Sequence, residues 1–151
     1  MPSFVPSTLA AIASAALLAA PASAQSLKER RAMLAAEKAY AEAAASVSDA
    51  CETTIVSGFD WDAFRSEDFE SNNSIHGWCG APLDVMRSLC TSSIDDGLGK
   101  QAVQSTIKGV TCSRGDERTI ALGEDGIVTY TVTFESSNDY YWVEEWLLNN
   151  L

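Results

Sequence analysis

The chain has 151 residues, of which 46% are hydrophobic, and it carries a formal net charge of −11 at pH 7. This length and composition are typical of one globular domain with a single core. Because an acidic surface repels phosphate backbones and anionic headgroups, we expect neither nucleic acid nor a membrane surface as its partner. A basic protein suits such a surface better, and the simplest alternative is that the charge serves solubility alone.

Residues 1–24 predict an export signal. They hold no charged side chain, include an apolar run of 12 residues from Leu9 to Ala20, and end in Ala22-Ser23-Ala24. A bilayer-spanning helix needs about 20 residues, so the run is too short to cross a membrane. We expect cleavage after Ala24 and a mature domain of residues 25–151, either periplasmic or secreted. The alternative is a retained interfacial helix, since no Lys or Arg precedes the apolar run.

The first predicted element of the mature region is a long helix over residues 27–51. Apolar residues recur there at spacings of three and four, which predicts one apolar stripe. The stripe consists of Met33, Ala36, Tyr40, Ala43, Val47 and Cys51. This segment holds four basic and four acidic side chains, whereas residues 52–151 hold six basic and 17 acidic ones. The whole net negative charge therefore lies after the helix.

A strand, an acidic loop and a helical hairpin are predicted next. In residues 53–61, Ile55, Phe59 and Trp61 lie two or four apart, as in a half-buried strand. Residues 60–74 are acidic and end in small polar side chains, which indicates a loop that starts with a short helical turn.

The first helix of the predicted hairpin follows this loop and has Pro82 in its first turn. The capping signal Ser93-Ile94-Asp95-Asp96 precedes a second apolar helical face from Leu98 to Val110, with Gly109 near its end.

The sequence period changes to two after Cys112. Residues 118–122 and 128–134 predict two strands joined by the three-residue loop Glu124-Asp125-Gly126, with Gly126 left-handed. This loop places Leu122 opposite Val128 and Ile120 opposite Tyr130, so that the apolar residues share one face.

A last helix follows the strands, with caps available from Ser136, Ser137 and Asn138. Its core-facing residues are Tyr140, Val143, Trp146, Leu147 and Leu151. The predicted fold is α+β: a long N-terminal helix, a disulfide-braced helical hairpin, a small antiparallel sheet and a C-terminal helix.

An even number of cysteines in an exported chain predicts two disulfides. The four cysteines are Cys51, Cys79, Cys90 and Cys112. A helix between Cys79 and Cys90 would separate them by about 16 Å, beyond the roughly 7 Å that a disulfide allows. Cys90 lies at the connected end of the hairpin and Cys112 beyond its open end, so they too are far apart. The pairs Cys51–Cys90 and Cys79–Cys112 remain.

No residue of the chain is predicted to be catalytic, and no metal or cofactor is predicted. Zinc is disfavoured because the chain lacks a C-x-x-C motif and has one histidine, His76. His76 lacks a thiolate partner once the cysteines are oxidised. The pattern from Ser105 to Lys108 matches S-x-x-K, but the companion motifs of serine acyl enzymes are missing.

The candidate partner-binding residues are an acidic group and two tryptophans. The acidic residues are Asp60, Asp62, Glu67, Asp68 and Glu70, and the tryptophans are Trp78 and Trp142. An EF-hand is excluded because Phe64 and Arg65 occupy a ligand position and the glycine position. Looser binding of a divalent cation and a merely solvated loop are the alternatives to a contact for a basic partner. The tryptophans, in turn, could simply cap a thin core.

These observations predict a non-enzymatic binding module in the periplasm or outside the cell. An inhibitor of a basic secreted hydrolase is one specific version of this hypothesis. Two other classes stay open: a small hydrolase that uses two acidic residues, and a structural envelope protein without a discrete ligand.

Overall fold

A computed structural model describes residues 26–70, 74–94, 96–135 and 139–151, so the predicted export signal lies outside the described part. The α+β class is confirmed, with the long N-terminal and the C-terminal helix in place. The helices are α1 Leu27–Cys51, α2 Ile75–Cys79, α3 Ala81–Thr91, α4 Leu98–Thr106 and α5 Tyr140–Asn150. The strands are β1 Val56–Phe59, β2 Gly109–Arg114, β3 Thr119–Leu122 and β4 Ile127–Val132. Short 3₁₀ helices cover Trp61–Ala63 and Ser66–Phe69.

Helix α1 has the bounds that its apolar period predicts. It starts with a capping box, in which the Ser26 hydroxyl accepts from the Glu29 amide at 3.1 Å and Glu29 accepts from the Ser26 amide at 2.7 Å. It ends at Cys51, because the next residue, Glu52, has a φ of 52° that breaks the helix. The buried side of the helix packs against α3 and β1, and its buried residues are Ala36, Tyr40, Ala44, Val47 and Cys51.

The sheet has the strand order β1-β2-β4-β3 and is mixed rather than antiparallel throughout. Only β3 and β4 pair antiparallel, while β2 lies parallel to both β1 and β4. In the β3–β4 hairpin, Leu122 pairs with Val128 and Ile120 with Tyr130, and Gly126 has a φ of 81°. The predicted register and left-handed loop glycine are therefore confirmed.

Strand β2 was not predicted, and the second hairpin helix ends earlier than expected. Helix α4 stops at Thr106, so Gly109 and Val110 belong to β2 and pair with Val56 and Ser57. A Cβ on Gly109 would lie 2.5 Å from the Val56 Cγ2 atom, so a glycine is required where the two strands approach. The apolar spacing of this segment favours a helix, but backbone pairing of β2 with both β1 and β4 makes Gly109 and Val110 part of a strand instead.

The helix starts differ from the predictions in detail. Pro82 lies in the first turn of α3, as expected. Helix α4 is preceded by Gly97, which has a φ of 82° and takes the N-cap position. Asp95 of the predicted capping signal lies outside the described part. Helix α5 starts after Asp139, and the predicted caps Ser136, Ser137 and Asn138 also lie outside. Among the described helices, none is long and apolar enough to cross a membrane.

Both predicted disulfides are present. Cys51 joins Cys90 with a Cα–Cα distance of 5.0 Å, which ties the end of α1 to α3. Cys79 joins Cys112 at 5.7 Å, which ties α2 to β2. All of these cysteines are buried in one core, whose largest fully buried side chains include Tyr40, Tyr130, Leu83 and Met86.

Removing either disulfide should destabilise the fold strongly. The bridges span 39 and 33 residues, and closing loops of this length stabilises a chain by roughly 3–4 kcal/mol on the entropy model. We expect the double variants C51A/C90A and C79A/C112A each to lose about that much free energy of unfolding in urea titrations. An unchanged urea midpoint after reduction of the wild type would contradict this prediction.

Candidate functional site

Seven aromatic side chains from separate parts of the chain form a connected set, which we call the ring cluster. The ring of Phe59, at the end of β1, is stacked on Trp61 with 4.4 Å between the ring centroids, and its centroid lies 4.8 Å from that of Tyr40 of α1. Phe134 contacts both Phe64, at 6.2 Å, and Trp78, at 5.4 Å. The full set is Tyr40, Phe59, Trp61, Phe64, Phe69, Trp78 and Phe134. Aromatic residues of the acidic loop are thus continuous with the core.

The acidic loop folds back onto α1. The Trp61 indole donates a hydrogen bond of 2.8 Å to Glu37, and Phe69 packs beside alanines of α1. Phe69 and these alanines line a cleft of about 180 Å³ together with His76. The narrow alanine face of α1 is what lets the loop approach so closely.

Four of the predicted acidic residues lie on the same segment as three of these rings. Asp60, Asp62, Glu67 and Glu70 are exposed, whereas Trp61, Phe64 and Phe69 are half-buried and pack against the core. We call these four carboxylates and three rings the acid–aromatic surface. The structure therefore places the predicted acids together with apolar side chains on one segment, residues 60–70.

Asp68 differs from the other four acids because it is buried, with 8% of its surface exposed. One carboxylate oxygen accepts from the Arg65 amide at 2.8 Å, and the other lies 3.5 Å from the Arg114 guanidinium. Arg114 also lies over the Phe134 ring, 5.5 Å from its centroid. Asp68 thus anchors the segment to β2 and to the ring cluster. Its carboxylate is bound within the protein and is not presented to another protein.

The two candidate tryptophans occupy different surroundings. Trp78 belongs to the ring cluster through Phe134 and so lies with the acidic segment. Trp142 lies on α5, where Arg118 is 4.2 Å above its ring and Tyr130 is 6.5 Å away. The described ring contacts do not connect Trp142 to the ring cluster, so the two tryptophans are better treated as separate candidates.

A polar network near Trp142 was missed by sequence reasoning. Asp139 accepts a hydrogen bond from the Tyr130 hydroxyl and forms an ion pair with Arg118. The Asp139 side chain is 8% exposed, and burial followed by the hydrogen bond to Asp139 raises the pKa of Tyr130. These residues come from β4, the start of β3 and the start of α5, and no motif in the sequence relates them.

Tyr40 is a second buried tyrosine. It is 1% exposed, and its hydroxyl donates to the carbonyl of Cys79 at 3.2 Å. Burial raises the pKa of Tyr40 well above its ordinary value of 10.0. The hydrogen bond links α1 directly to the backbone beside the second disulfide.

The described residues assemble no recognisable nucleophile and base. The cysteines are joined in disulfides, and Ser105 donates to the Ala102 carbonyl within α4 while Lys108 lies beyond that helix. Among the described residues, no group of three or more histidine, cysteine or carboxylate side chains is placed to hold a metal ion. What the arrangement offers chemically is a charged surface backed by aromatic rings.

No protein family model, no curated protein and no solved structure matches this chain. Functional inference therefore depends on the chemistry of these residues.

Loss of the Asp68 carboxylate should loosen the acidic segment. D68A removes one partner of a buried ion pair, which typically costs about 3–5 kcal/mol, and the matched variant D62A removes an exposed carboxylate, which typically costs below about 0.5 kcal/mol. We expect chemical denaturation to show a large loss for D68A alone. Equal stability of the two variants would contradict the anchoring role of Asp68.

The buried tyrosines should make the protein unstable at high pH. Because the pKa of each tyrosine is raised in the folded protein, the unfolded chain loses its tyrosine protons at a lower pH than the folded one. The free energy of unfolding is therefore unaffected by these tyrosines below pH 10.0, their ordinary pKa, and decreases above it. The slope is at most about 1.4 kcal/mol per pH unit for each tyrosine. Y40F should flatten this alkaline decline in urea unfolding, whereas Y141F, at a position 72% exposed, should not. If the free energy of unfolding decreased equally with pH in the wild type and in Y40F, this prediction would be contradicted.

Proposed function

We propose that the chain is an exported, non-enzymatic interaction module that binds a basic partner protein through the acid–aromatic surface. The observation that carries this proposal is a segment on which the exposed carboxylates of Asp60, Asp62, Glu67 and Glu70 alternate along the chain with half-buried rings. An inhibitor of a basic secreted hydrolase is one form that such a module would take.

Rings and carboxylates recognise a basic side chain in complementary ways. A carboxylate attracts a guanidinium or ammonium group and speeds its encounter with the surface. A neighbouring ring gives the alkyl stem an apolar contact and its face attracts the cation. Aromatic residues near charged ones are also common among the residues that dominate binding energy in protein interfaces. The surface therefore favours an Arg- or Lys-rich partner over a neutral one.

The acidic segment is held in place before any partner arrives. The Asp60 amide donates to the Cys112 carbonyl at 2.8 Å, and Arg65 forms an ion pair of 2.7 Å with Asp116. Asp68 adds the buried pair with Arg114. Because a fixed segment loses little conformational entropy on binding, such anchoring raises affinity without new contacts.

The hydrolase alternative has less support from the geometry. Acid–base hydrolysis needs two carboxylates facing one another across a cleft, with one of them kept protonated. None of the five predicted acids lines any of four grooves on the described part, which lie beside Leu34, Phe69, Leu89 and Thr91. Asp68 and Asp139, whose side chains are 6% and 8% exposed, are both engaged with arginines.

Two disulfides in a domain of this size support an oxidising compartment, in keeping with the predicted export signal. We accordingly place the proposed interaction in the periplasm or outside the cell. A structural envelope protein without a discrete ligand would share this location. The two hypotheses differ in whether the chain captures a partner protein and whether that capture depends on charge.

Neutralising the acid–aromatic surface should abolish partner capture. We expect residues 25–151 on a resin to retain a basic protein from envelope extract at low salt and to release it at about 300 mM salt, where charges are screened beyond roughly 5–6 Å. The variant D60N/D62N/E67Q/E70Q should retain at least about tenfold less. The control E117Q/E124Q/E135Q/E145Q changes the net charge equally at exposed positions elsewhere and should bind normally.

Equal loss in both quadruple variants would show a general charge effect and contradict the proposed surface. Absence of any captured protein at low salt would remove the support for a binding module and favour a structural role. Hydrolysis of an offered glycoside that D60N or E67Q abolishes would instead establish the enzyme alternative.

A further inference from the structure

We propose that the outward side of α1, near its start, docks on an anionic phospholipid surface, so that the protein rests on a membrane without entering it. This side, which we call the basic face, consists of Leu27, Arg30, Arg31, Leu34 and Lys38. It shares no residue with the acid–aromatic surface, although Glu37 at the edge of its groove accepts a hydrogen bond from Trp61 of that surface, and it would bind a different kind of partner.

The basic face is a continuous side of one helix. Its residues follow Leu27 by three, four, seven and eleven positions, which places them together on a helix with 3.6 residues per turn. The buried residues Ala36, Tyr40 and Ala44 lie on the other side. Because the Ser26–Glu29 capping box orders the first turn, the face is presented by regular helix from Leu27 onward.

Two leucines on this face are poorly buried. Leu27 and Leu34 are each 66% exposed, and they lie one above the other, two turns apart. Between them Arg30 and Arg31 line a shallow groove of about 430 Å³. Exposed leucines beside cations on a helix are typical of a segment that lies in the headgroup region of a bilayer.

Most cations after α1 are neutralised by neighbouring carboxylates. Between residues 52 and 151, five of the six basic side chains form ion pairs: Arg65, Arg87, Lys100, Arg114 and Arg118. In the described part of the chain, Arg30 and Arg31 have no carboxylate within ion-pair distance, and Lys38 has only an exposed Glu42 at 3.9 Å. Arg30 and Arg31, which have no ion-pair partner among the described residues, thus lie on one helix face beside two of the exposed leucines, Leu27 and Leu34.

Phospholipid matches both features of the face. A guanidinium binds a phosphate oxygen pair with two parallel hydrogen bonds, and an acyl boundary accepts leucine side chains. Carboxylates also lie beside the face: Glu37, which accepts from Trp61, lines the same groove as Arg30 and Arg31, and Glu42 pairs with Lys38. The net charge of −11 opposes binding as a whole, so contact requires that the basic face turn toward the membrane and the acidic body away from it.

The test uses residues 25–151 and vesicles, because the apolar run before Ala24 would bind lipid on its own. The described core and both disulfides lie within this range. Phosphatidylglycerol–phosphatidylcholine vesicles should sediment with the protein at about 20 mM salt, and pure phosphatidylcholine vesicles should not. Raising the salt to about 200 mM should weaken binding at least about tenfold, since three or more cations are screened.

Matched variants separate this face from general effects. R31E should weaken vesicle binding about tenfold or more, whereas K108E makes the same charge change at an exposed lysine on the sheet side and should have less than about a twofold effect. L34S should weaken binding severalfold, and L148S, at a position 64% exposed compared with 66%, should not. Circular dichroism verifies that each variant is folded.

Equal binding to both vesicle types, or equal effects of R31E and K108E, would overturn the proposal. It would also be overturned if R31E abolished self-association in sedimentation velocity and left vesicle binding unchanged, because the face would then bind a second copy. Neutralising the acid–aromatic surface should not weaken vesicle binding, so this proposal and the proposed protein interaction can fail separately.

Discussion

The disulfide between Cys79 and Cys112 is the constraint on which the rest of the structure depends. It joins α2 to a strand that pairs on both edges, and the carbonyl of Cys79 accepts the hydrogen bond of the buried Tyr40. On its other side, the Cys112 carbonyl accepts from the Asp60 amide, where the acidic segment begins. One covalent bond therefore sets the relative positions of α1, the sheet and the candidate surface.

Because the acidic segment starts at this fixed point, its aromatic side chains extend the core outward. Trp61 stacks on Phe59, which contacts Tyr40, so the segment that carries the exposed carboxylates is packed against the core. The same packing makes a firm platform for a partner's side chains, which is why we favour recognition over chemistry.

Local patterns in the sequence predicted local structure well. The bounds of α1 follow from its apolar period, and the β3–β4 register follows from keeping Leu122 and Val128 on one face. The disulfide pairs were also deduced correctly although the second hairpin helix ends at Thr106, because either path returns Cys112 to the region of Cys79. Non-local pairing was not predictable: parallel β2 and the Tyr130–Asp139 contact join segments with no shared period or motif.

The sum of the charges is a poor guide to what each surface can bind. A net charge of −11 argues against anionic partners only if the charge is evenly spread, yet most cations after residue 51 are consumed in ion pairs while Arg30 and Arg31 are not. Attraction falls off within about 8 Å at physiological salt, so a partner responds to the face it touches. Because Arg30 and Arg31 lie on one side of α1, an anionic partner of the kind we propose would meet this side of an otherwise acidic protein.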